Sequence, residues 1–282
     1  MKLSQIMSKG VITVEPCFSL DDAIRVFERC NFRHLPVEED GRLVGMLSDR
    51  DLSLATGWSL SSQRDLVDDS TPSRVLEIMH SPVISLGPDG SPEEAARLML
   101  EQRIGAVAVI AADGHIAGIV TTTDLLRAFR DEEMETEMRI DPSVGVASCM
   151  STDVATLGPD DFLEDAIELC KARRVRHVPI LEDGRLIGMA SDRDLRFGMG
   201  QEVIADMIAE ERGRLEVART PLSALMAIDV PTIGDEESLA EAADRMLRQR
   251  LSALPVMRRG RMVGILTDSD ILRHCAGHGA RS

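Results

Sequence analysis

The amino-acid sequence predicts a mixed α/β (α+β) fold built from four copies of one small unit. Residues 40–52 recur as residues 183–195 with 11 of 13 positions identical, and residues 118–127 recur in a similar form as residues 264–273. Repetition at a fixed spacing indicates that a structural unit has been duplicated. The chain therefore has the order A-B-A-B, and the units are predicted at 1–57, 74–131, 144–200 and 220–275.

Each unit is predicted to contain a strand, a helix, two strands and a second helix, in that order. In the first unit the apolar run 11–14 predicts a short strand. Ser19 followed three residues later by Asp22 predicts a capped helix start. The Asp-Gly pair at 40–41 suits the positive φ values of a tight hairpin between the next two strands. Helices of the other units are predicted to start near Ser91, Asp161 and Ser238.

Composition and charge narrow the classes of function. A net charge of −16 opposes binding to a phosphate backbone, and an aromatic content of 2 % leaves little to stack on bases, so no nucleic-acid partner is expected. The composition still allows binding of a small anion at a point where a few Arg side chains converge. No apolar run is long enough for a membrane span and the first residues lack a signal-peptide pattern, which predicts a cytoplasmic protein. The five Cys residues form no CxxC pair, and no metal site is predicted.

Every unit closes on the pattern Gly-x-x-(Ser/Thr)-x-x-Asp at a predicted strand-to-helix junction. Seen once, the pattern is simply a capping box. Capping alone does not require Gly and Asp in all four copies, however, and a carboxylate at a helix N-terminus can also accept the hydroxyls of a ribose while nearby N–H groups face phosphate. Both interpretations stay open. The pairs are Ser48 with Asp51, Thr121 with Asp124, Ser191 with Asp194, and Thr267 with Asp270.

Two further features recur among the units. A hydroxyl residue lies six positions after a Met near the start of each unit, as in Met7 and Thr13. The dipeptide Arg33-His34 recurs as Arg176-His177. A single His in a strand is more often structural than functional, so these two His residues are not predicted to bind a ligand.

Together these motifs resemble the CBS-domain (cystathionine beta-synthase domain) family over essentially the whole chain. The resemblance implies that the units pair about a pseudo-two-fold axis into two Bateman modules, with adenosine ligands bound in clefts between units. It implies that the four closing Asp residues bind ribose and that the Ser/Thr residues lie by ribose or phosphate. The family also places a basic residue five positions before the Pro of the second strand. Arg174 and Arg250 match this pattern, and Arg103 lies five positions before Ala108, which replaces the Pro in the second unit. Asn31 is the exception in the first unit.

The exception in the first unit puts its phosphate contact in doubt unless Arg33 or Arg50 substitutes for Asn31. An Arg near a helix end can also serve only to compensate the helix dipole, so the role of the other three Arg residues stays open. The second module is therefore expected to favour phosphate-bearing ligands more than the first.

The function expected from the resemblance is regulatory ligand sensing, including energy sensing, without catalysis. The expected ligand is AMP, ADP, ATP or S-adenosylmethionine, with no required cofactor and with Mg²⁺ only as a companion of a bound nucleotide. The expected partners are a separate effector protein and either a second copy in a homodimer or, within one chain, the other module in a four-unit disc. The alternatives are a protein-interaction scaffold with non-functional clefts and, least favoured, an enzyme, because no general base pairs with a nucleophile.

Overall fold

Four similar units follow one another along the chain, as the sequence predicts. The computed structural model describes residues 1–30, 32–56, 72–131, 138–191, 195 and 219–277. The helices described are α1 (Leu3–Ile6), α2 (Leu20–Cys30), α3 (Asp49–Thr56), α4 (Pro92–Gln102), α5 (Thr122–Arg130), α6 (Leu163–Arg173), α7 (Leu239–Gln249) and α8 (Asp268–Cys275). The strands described are β1 (His34–Glu39), β2 (Arg42–Ser48), β3 (Ser85–Leu86), β4 (Ala106–Ile110), β5 (Ile116–Thr121), β6 (His177–Glu182), β7 (Arg185–Ser191), β8 (Ile233–Gly234), β9 (Ala253–Arg258) and β10 (Arg261–Thr267).

The antiparallel hairpin in each unit is confirmed. β1 pairs with β2, β4 with β5, β6 with β7 and β9 with β10. Asp40 and Gly41 both have positive φ, 50° and 76°, as a two-residue hairpin turn between right-twisted strands requires. All four hairpins shift register near the turn, which increases the local twist of the strands.

The first strand of each unit is shorter than predicted. The run 11–14 contributes a single parallel bridge from Val14 to Val37, and the third unit has an equivalent bridge from Leu157 to Ile180. The second and fourth units have the two-residue strands β3 and β8 at this place. In the first three units a Pro follows two residues later, at 16, 88 and 159, and its missing N–H ends the ladder.

Three of the four predicted helix starts are confirmed. Ser19 Oγ accepts the N–H of Asp22 at 3.1 Å, and Ser91 and Ser238 cap α4 and α7 in the same way. The prediction for Asp161 is early, because α6 begins at Leu163 after Phe162. Phe162 stands where the other units have Ser, and the Asp161 carboxylate instead accepts the N–H of Gly158 in the preceding turn at 2.7 Å. The side chain of Asp161 therefore stabilises the turn before the helix.

Each unit sends its first segment across to its neighbour. Ser8 forms an antiparallel bridge with Ile119 in the second unit, and His80 forms the equivalent bridge with Met46 in the first. The second module repeats this exchange. Its bridges join Ser151 to Ile265 and Ala227 to Met189. The crossing segment of one unit therefore forms one wall of the space beside the closing helix of the other unit.

The recurring Gly of the closing motif is explained by this crossing. A Cβ atom built on Gly264 would lie 2.7 Å from Met150 Sδ and 2.8 Å from the Ser151 carbonyl oxygen. The Met of one unit packs in the same manner on the Gly of its partner in all four units. Both the Gly and the Met recur in the sequence, but no sequence pattern shows that they pack against each other. Any larger side chain at the Gly position would push the crossing segment away.

The two modules share a hydrophobic core through the second and fourth units. Helices α4 and α5 pack against α7 and α8, and buried residues of both units, such as Met99, Leu125, Met246 and Ile271, form one continuous cluster. An ion pair between Arg130 and Asp244 joins α5 to α7, with Nη2 and Oδ2 at 3.0 Å. The first and third units have separate cores.

None of the helices in the described part of the chain combines the length and the apolar character that crossing a membrane requires.

Replacing Gly264 by Ala is expected to lower the free energy of unfolding by about 1–3 kcal/mol, the usual cost of overpacking, because the added methyl group meets the rigid Ser151 carbonyl. Gly45→Ala is the matched control, because the three atoms nearest to its Cβ all belong to the flexible side chain of Met79. Urea unfolding of the two variants measures the difference. Equal losses for both variants would show that contact with the crossing backbone does not determine the Gly.

Candidate functional site

The closing Asp residues form true capping boxes in the three units whose boxes are fully described. In each, one carboxylate oxygen, Oδ2, accepts both the hydroxyl and the backbone N–H of the Ser or Thr three residues earlier. The hydroxyl-to-Oδ2 distances are 2.5 Å for Ser48 and Asp51, 2.7 Å for Thr121 and Asp124, and 2.6 Å for Thr267 and Asp270. The capping interpretation of the motif is therefore correct. The cap uses only one of the two carboxylate oxygens, Oδ2.

The second oxygen, Oδ1, faces a basic side chain in each of these boxes. Asp124 Oδ1 lies 3.5 Å from Arg127 and Asp270 Oδ1 lies 2.7 Å from Arg273, three residues further along the same helix. Asp51 differs, because its Oδ1 lies 2.9 Å from Nε2 of His80 in the neighbouring unit. All three Asp residues are buried, yet Oδ1 keeps acceptor capacity that the cap does not use.

Two residues of the predicted site fall outside the described part of the chain. Ser191 ends β7, but its predicted partner Asp194 lies outside the described residues. Asn31, the exception among the predicted phosphate-binding positions, also lies outside them.

A cavity of about 610 Å³ lies where the described parts of all four units meet. Its lining includes the crossing segment 8–12 and the start of α5 at Thr121. Its walls carry five basic side chains and one acidic one. These are Lys9, Arg33, Arg127, Arg176 and Arg250, together with Asp268. In a chain of net charge −16, this concentration of positive charge favours an anion.

Only some of the predicted site residues line this cavity. Thr121 and Arg250 do, whereas Arg103 and Arg174 are exposed and absent from its wall. The other described residues of the predicted site are absent from its wall as well, namely Ser48, Asp51, Asp124, Ser191, Thr267 and Asp270. All three of these Arg residues end a helix in the left-handed conformation, with φ of 55–56°. That conformation normally favours Gly and is costly for Arg. A shared helix-ending geometry therefore accompanies the predicted pattern, although only Arg250 reaches the cavity.

Arg176 was not predicted from the sequence as a cavity residue, and Arg33 was predicted only as a substitute in the first unit. The sequence did contain a feature that could have indicated this role, because the dipeptide Arg33-His34 is duplicated as Arg176-His177. In the structure both Arg residues line the cavity, and Arg33 Nη2 approaches Ser252 Oγ of the fourth unit at 3.5 Å. What the sequence could not supply is that equivalent strand starts from different units meet at one point.

His34 and His177 lie at this meeting point. Nε2 of His177 is 3.1 Å from Ser252 Oγ, and His34 packs against Gly105, where a Cβ atom would come within 3.0 Å of its ring. The pKa of His34 is lowered to about 4, mainly by burial, which Asp49 opposes and the positive charges of Arg176 and Arg33 reinforce. Burial and the same two Arg residues lower the pKa of His177 to about 3. Both imidazoles are neutral at pH 7.

Asp268 lies in the same wall, and burial raises the pKa of its carboxyl group. Arg176, Arg33 and hydrogen bonds from Ser269 oppose that shift but do not cancel it. The cavity therefore combines permanent Arg charges with side chains whose uncharged forms burial favours. Among the described residues, no group of three or more His, Cys, Asp or Glu is arranged to hold a metal ion.

Comparison with known proteins identifies the family to which these four units belong. A family model for the CBS domain matches residues 3–56, 75–131, 146–199 and 222–277. The chain belongs to the CBS-domain family. Its four CBS domains are the four units described above, and the exchange of crossing segments forms the two pairs.

Two relatives match this CBS-domain protein over most of its length. Protein MJ1225 of Methanocaldococcus jannaschii is 24 % identical, covering 98 % of each chain. Its crystal structure, described as a proposed archaeal homologue of g-AMPK, has a TM-score of 0.82 at 23 % identity, covering 97 % of this chain and 99 % of that one. A 33.4 kDa protein of Thermofilum pendens is 28 % identical, covering 89 % of this chain and 83 % of its own. These similarities support the CBS fold of the whole chain.

The buried neutral His residues predict that stability falls as the pH is lowered. The unfolded chain takes up a proton on each His near pH 6.5, whereas folded His34 does so only near pH 4, so unfolding is favoured increasingly between these values. Each His contributes up to about 1.4 kcal/mol per pH unit. Asp268, with its raised pKa, acts in the opposite direction by binding a proton in the folded state above its usual range.

Thermal unfolding between pH 7 and pH 4.5 tests this expectation, with the double variant His34→Gln and His177→Gln as the comparison. The wild type should lose melting temperature more steeply than the double variant. Parallel slopes for the two proteins would contradict the assignment of the pH dependence to these His residues.

Proposed function

We propose that this CBS-domain protein is a regulatory sensor that binds adenosine nucleotides or related adenosyl ligands in clefts between its units. The observation that carries the proposal is the cavity, whose lining includes both the Thr121 cap and the basic residues Arg33, Arg176 and Arg250. One lining therefore combines a capped helix start with positive charge. Its volume of about 610 Å³ is within the usual range for small-molecule sites.

The first turn of α5 supports ribose binding. Thr121, Thr122 and Thr123 line the cavity, and Asp124 completes the same first turn. The free N–H groups of this turn favour a negatively charged ligand, and Asp124 Oδ1 can accept a hydroxyl if Arg127 turns aside. Because Arg127 is 67 % exposed, this movement costs little.

The basic side chains of the cavity support phosphate binding. Arg33 and Arg176 come from different modules, and guanidinium groups bind phosphate oxygens through two parallel hydrogen bonds. Their mutual repulsion in a partly buried cavity is relieved by an anion between them. AMP, ADP, ATP and S-adenosylmethionine remain the candidate ligands, and Mg²⁺ would enter only with a bound nucleotide.

The effector and the assembly belong to the proposal as well. The packing of α4 and α5 on α7 and α8 supports an intrachain disc of four units, and a homodimer in which two chains pair their modules is the alternative. A separate effector protein would respond to the occupied state. The alternative, a scaffold with non-functional clefts, predicts no adenosyl binding in calorimetry, and an enzyme would turn over ATP.

Asp124→Asn and Asp270→Asn are each expected to weaken binding of adenosyl ligands tenfold to a hundredfold, because a hydrogen bond to a charged group contributes roughly 1.5–3 kcal/mol. Asn keeps most of the cap, so the helix start should persist. The Asp194→Asn variant should behave in the same way. Isothermal titration calorimetry with AMP and ATP measures the change, at temperatures where circular dichroism shows each variant folded. Unchanged affinity in all three would leave the motifs as capping boxes only.

Arg33→Gln and Arg176→Gln are expected to weaken AMP binding about tenfold while leaving adenosine binding nearly unchanged, since only AMP presents a phosphate to them. Arg185→Gln, at an exposed hairpin, is the matched control for loss of one positive charge. Calorimetric titration with both ligands gives the ratio. An equal loss for AMP and adenosine would place these Arg residues away from the phosphate.

A further inference from the structure

Among the closing Asp residues that the structure describes, Asp51 differs from Asp124 and Asp270 in one contact. His80 belongs to the crossing segment of the second unit, yet its Nε2 lies 2.9 Å from Oδ1 of Asp51 in the first unit. Because an ionised carboxylate only accepts, Nε2 carries the proton and donates it. Asp51 Oδ2 is already occupied by the Ser48 cap. Both oxygens of this carboxylate therefore have protein partners.

The equivalent positions in the other units carry short side chains. His80 exchanges backbone hydrogen bonds with Met46, the residue after the closing-motif Gly, and three other residues make the same exchange in their own pairs. These residues are Ser8, Ser151 and Ala227. His80 is thus the single large side chain among four structurally matched positions.

The basic partner of Asp51 also comes from a different direction. Arg127 and Arg273 lie three residues after Asp124 and Asp270, so each lies along the same helix as its Asp and on one wall of its cleft. The first unit has Leu54 at that position, and His80 supplies the contact from the opposite wall. The imidazole of His80 therefore joins two units across this carboxylate, whereas Arg127 and Arg273 join residues of a single helix.

We propose that His80 closes the Asp51 cleft against the ribose of an adenosyl ligand, so that this cleft binds the ligand less tightly than it would with a short side chain at position 80. The inference rests on the proposed function. A ligand entering here must displace the imidazole from Asp51 Oδ1, and this competition reduces affinity about tenfold relative to the same cleft with Ser at position 80. His80 is 77 % exposed, so the imidazole can swing out into solvent and closure is reversible.

Calorimetric titration of the full chain with AMP tests the proposal through three variants. His80→Ser reproduces the residue found at positions 8 and 151, and it should raise affinity about tenfold at one site or add one detectable site. Ser151→His places an imidazole against Asp270 and should weaken one site to a similar extent. The double variant His80→Ser with Asp51→Asn should lose the gain, which assigns it to this cleft.

Each outcome decides a different point. Weaker binding in His80→Ser would make His80 a ligand contact and overturn the proposal, as would unchanged affinity and site number. Absence of adenosyl binding in the wild type and in all variants would instead remove the proposed function and, with it, this inference. Melting temperatures of the variants within a few degrees of the wild type exclude loss of folding as the cause.

Discussion

The crossing of each first segment over the bare Gly of the neighbouring unit is the constraint on which the rest of the molecule depends. A unit of about sixty residues has little core of its own, and the exchange of segments makes two units bury one another. Close approach of Met150 and Ser151 to Gly264 fixes the distance between the crossing segment and the strand that leads into α8. Since this strand ends at Thr267, the same contact sets both the width of the cleft and the position of its capping box.

The capping box and the proposed ligand site use different atoms of the same Asp. Oδ2 holds the helix start through two short hydrogen bonds, while Oδ1 remains with a replaceable basic partner. Removal of a helix cap costs about 1 kcal/mol of stability. An Asp that both caps the helix and binds the ligand therefore links local stability to binding. This explains why Asp occupies a position at which Glu or Gln would cap equally well: the shorter side chain keeps Oδ1 close to the helix N-terminus.

The sequence was sufficient for features that depend on local chemistry and repetition. The hairpin turns, the Ser-capped helix starts and the four units follow from residues close together in the chain, such as Asp40 and Gly41. The prediction for α6 was early because Phe162 replaces the capping Ser, and the strand at 11–14 shrank to one bridge because Pro16 cannot extend the ladder. The convergence of Arg33 and Arg176 could not be predicted, since it depends on how whole units pack and no local pattern encodes that packing.

The meeting of four units at one polar point gives the proposed sensor a physical means of coupling its modules. Arg33 of the first unit approaches Ser252 of the fourth, and the same hydroxyl lies by His177 of the third. A ligand changes the relation between modules only to the extent that it binds one arrangement more tightly than another. An anion at this point contacts basic groups from both modules and offsets their repulsion, so it favours the arrangement in which they are close. An uncharged adenosyl ligand leaves the repulsion in place, and the phosphate is therefore the part of the ligand that carries the signal between modules.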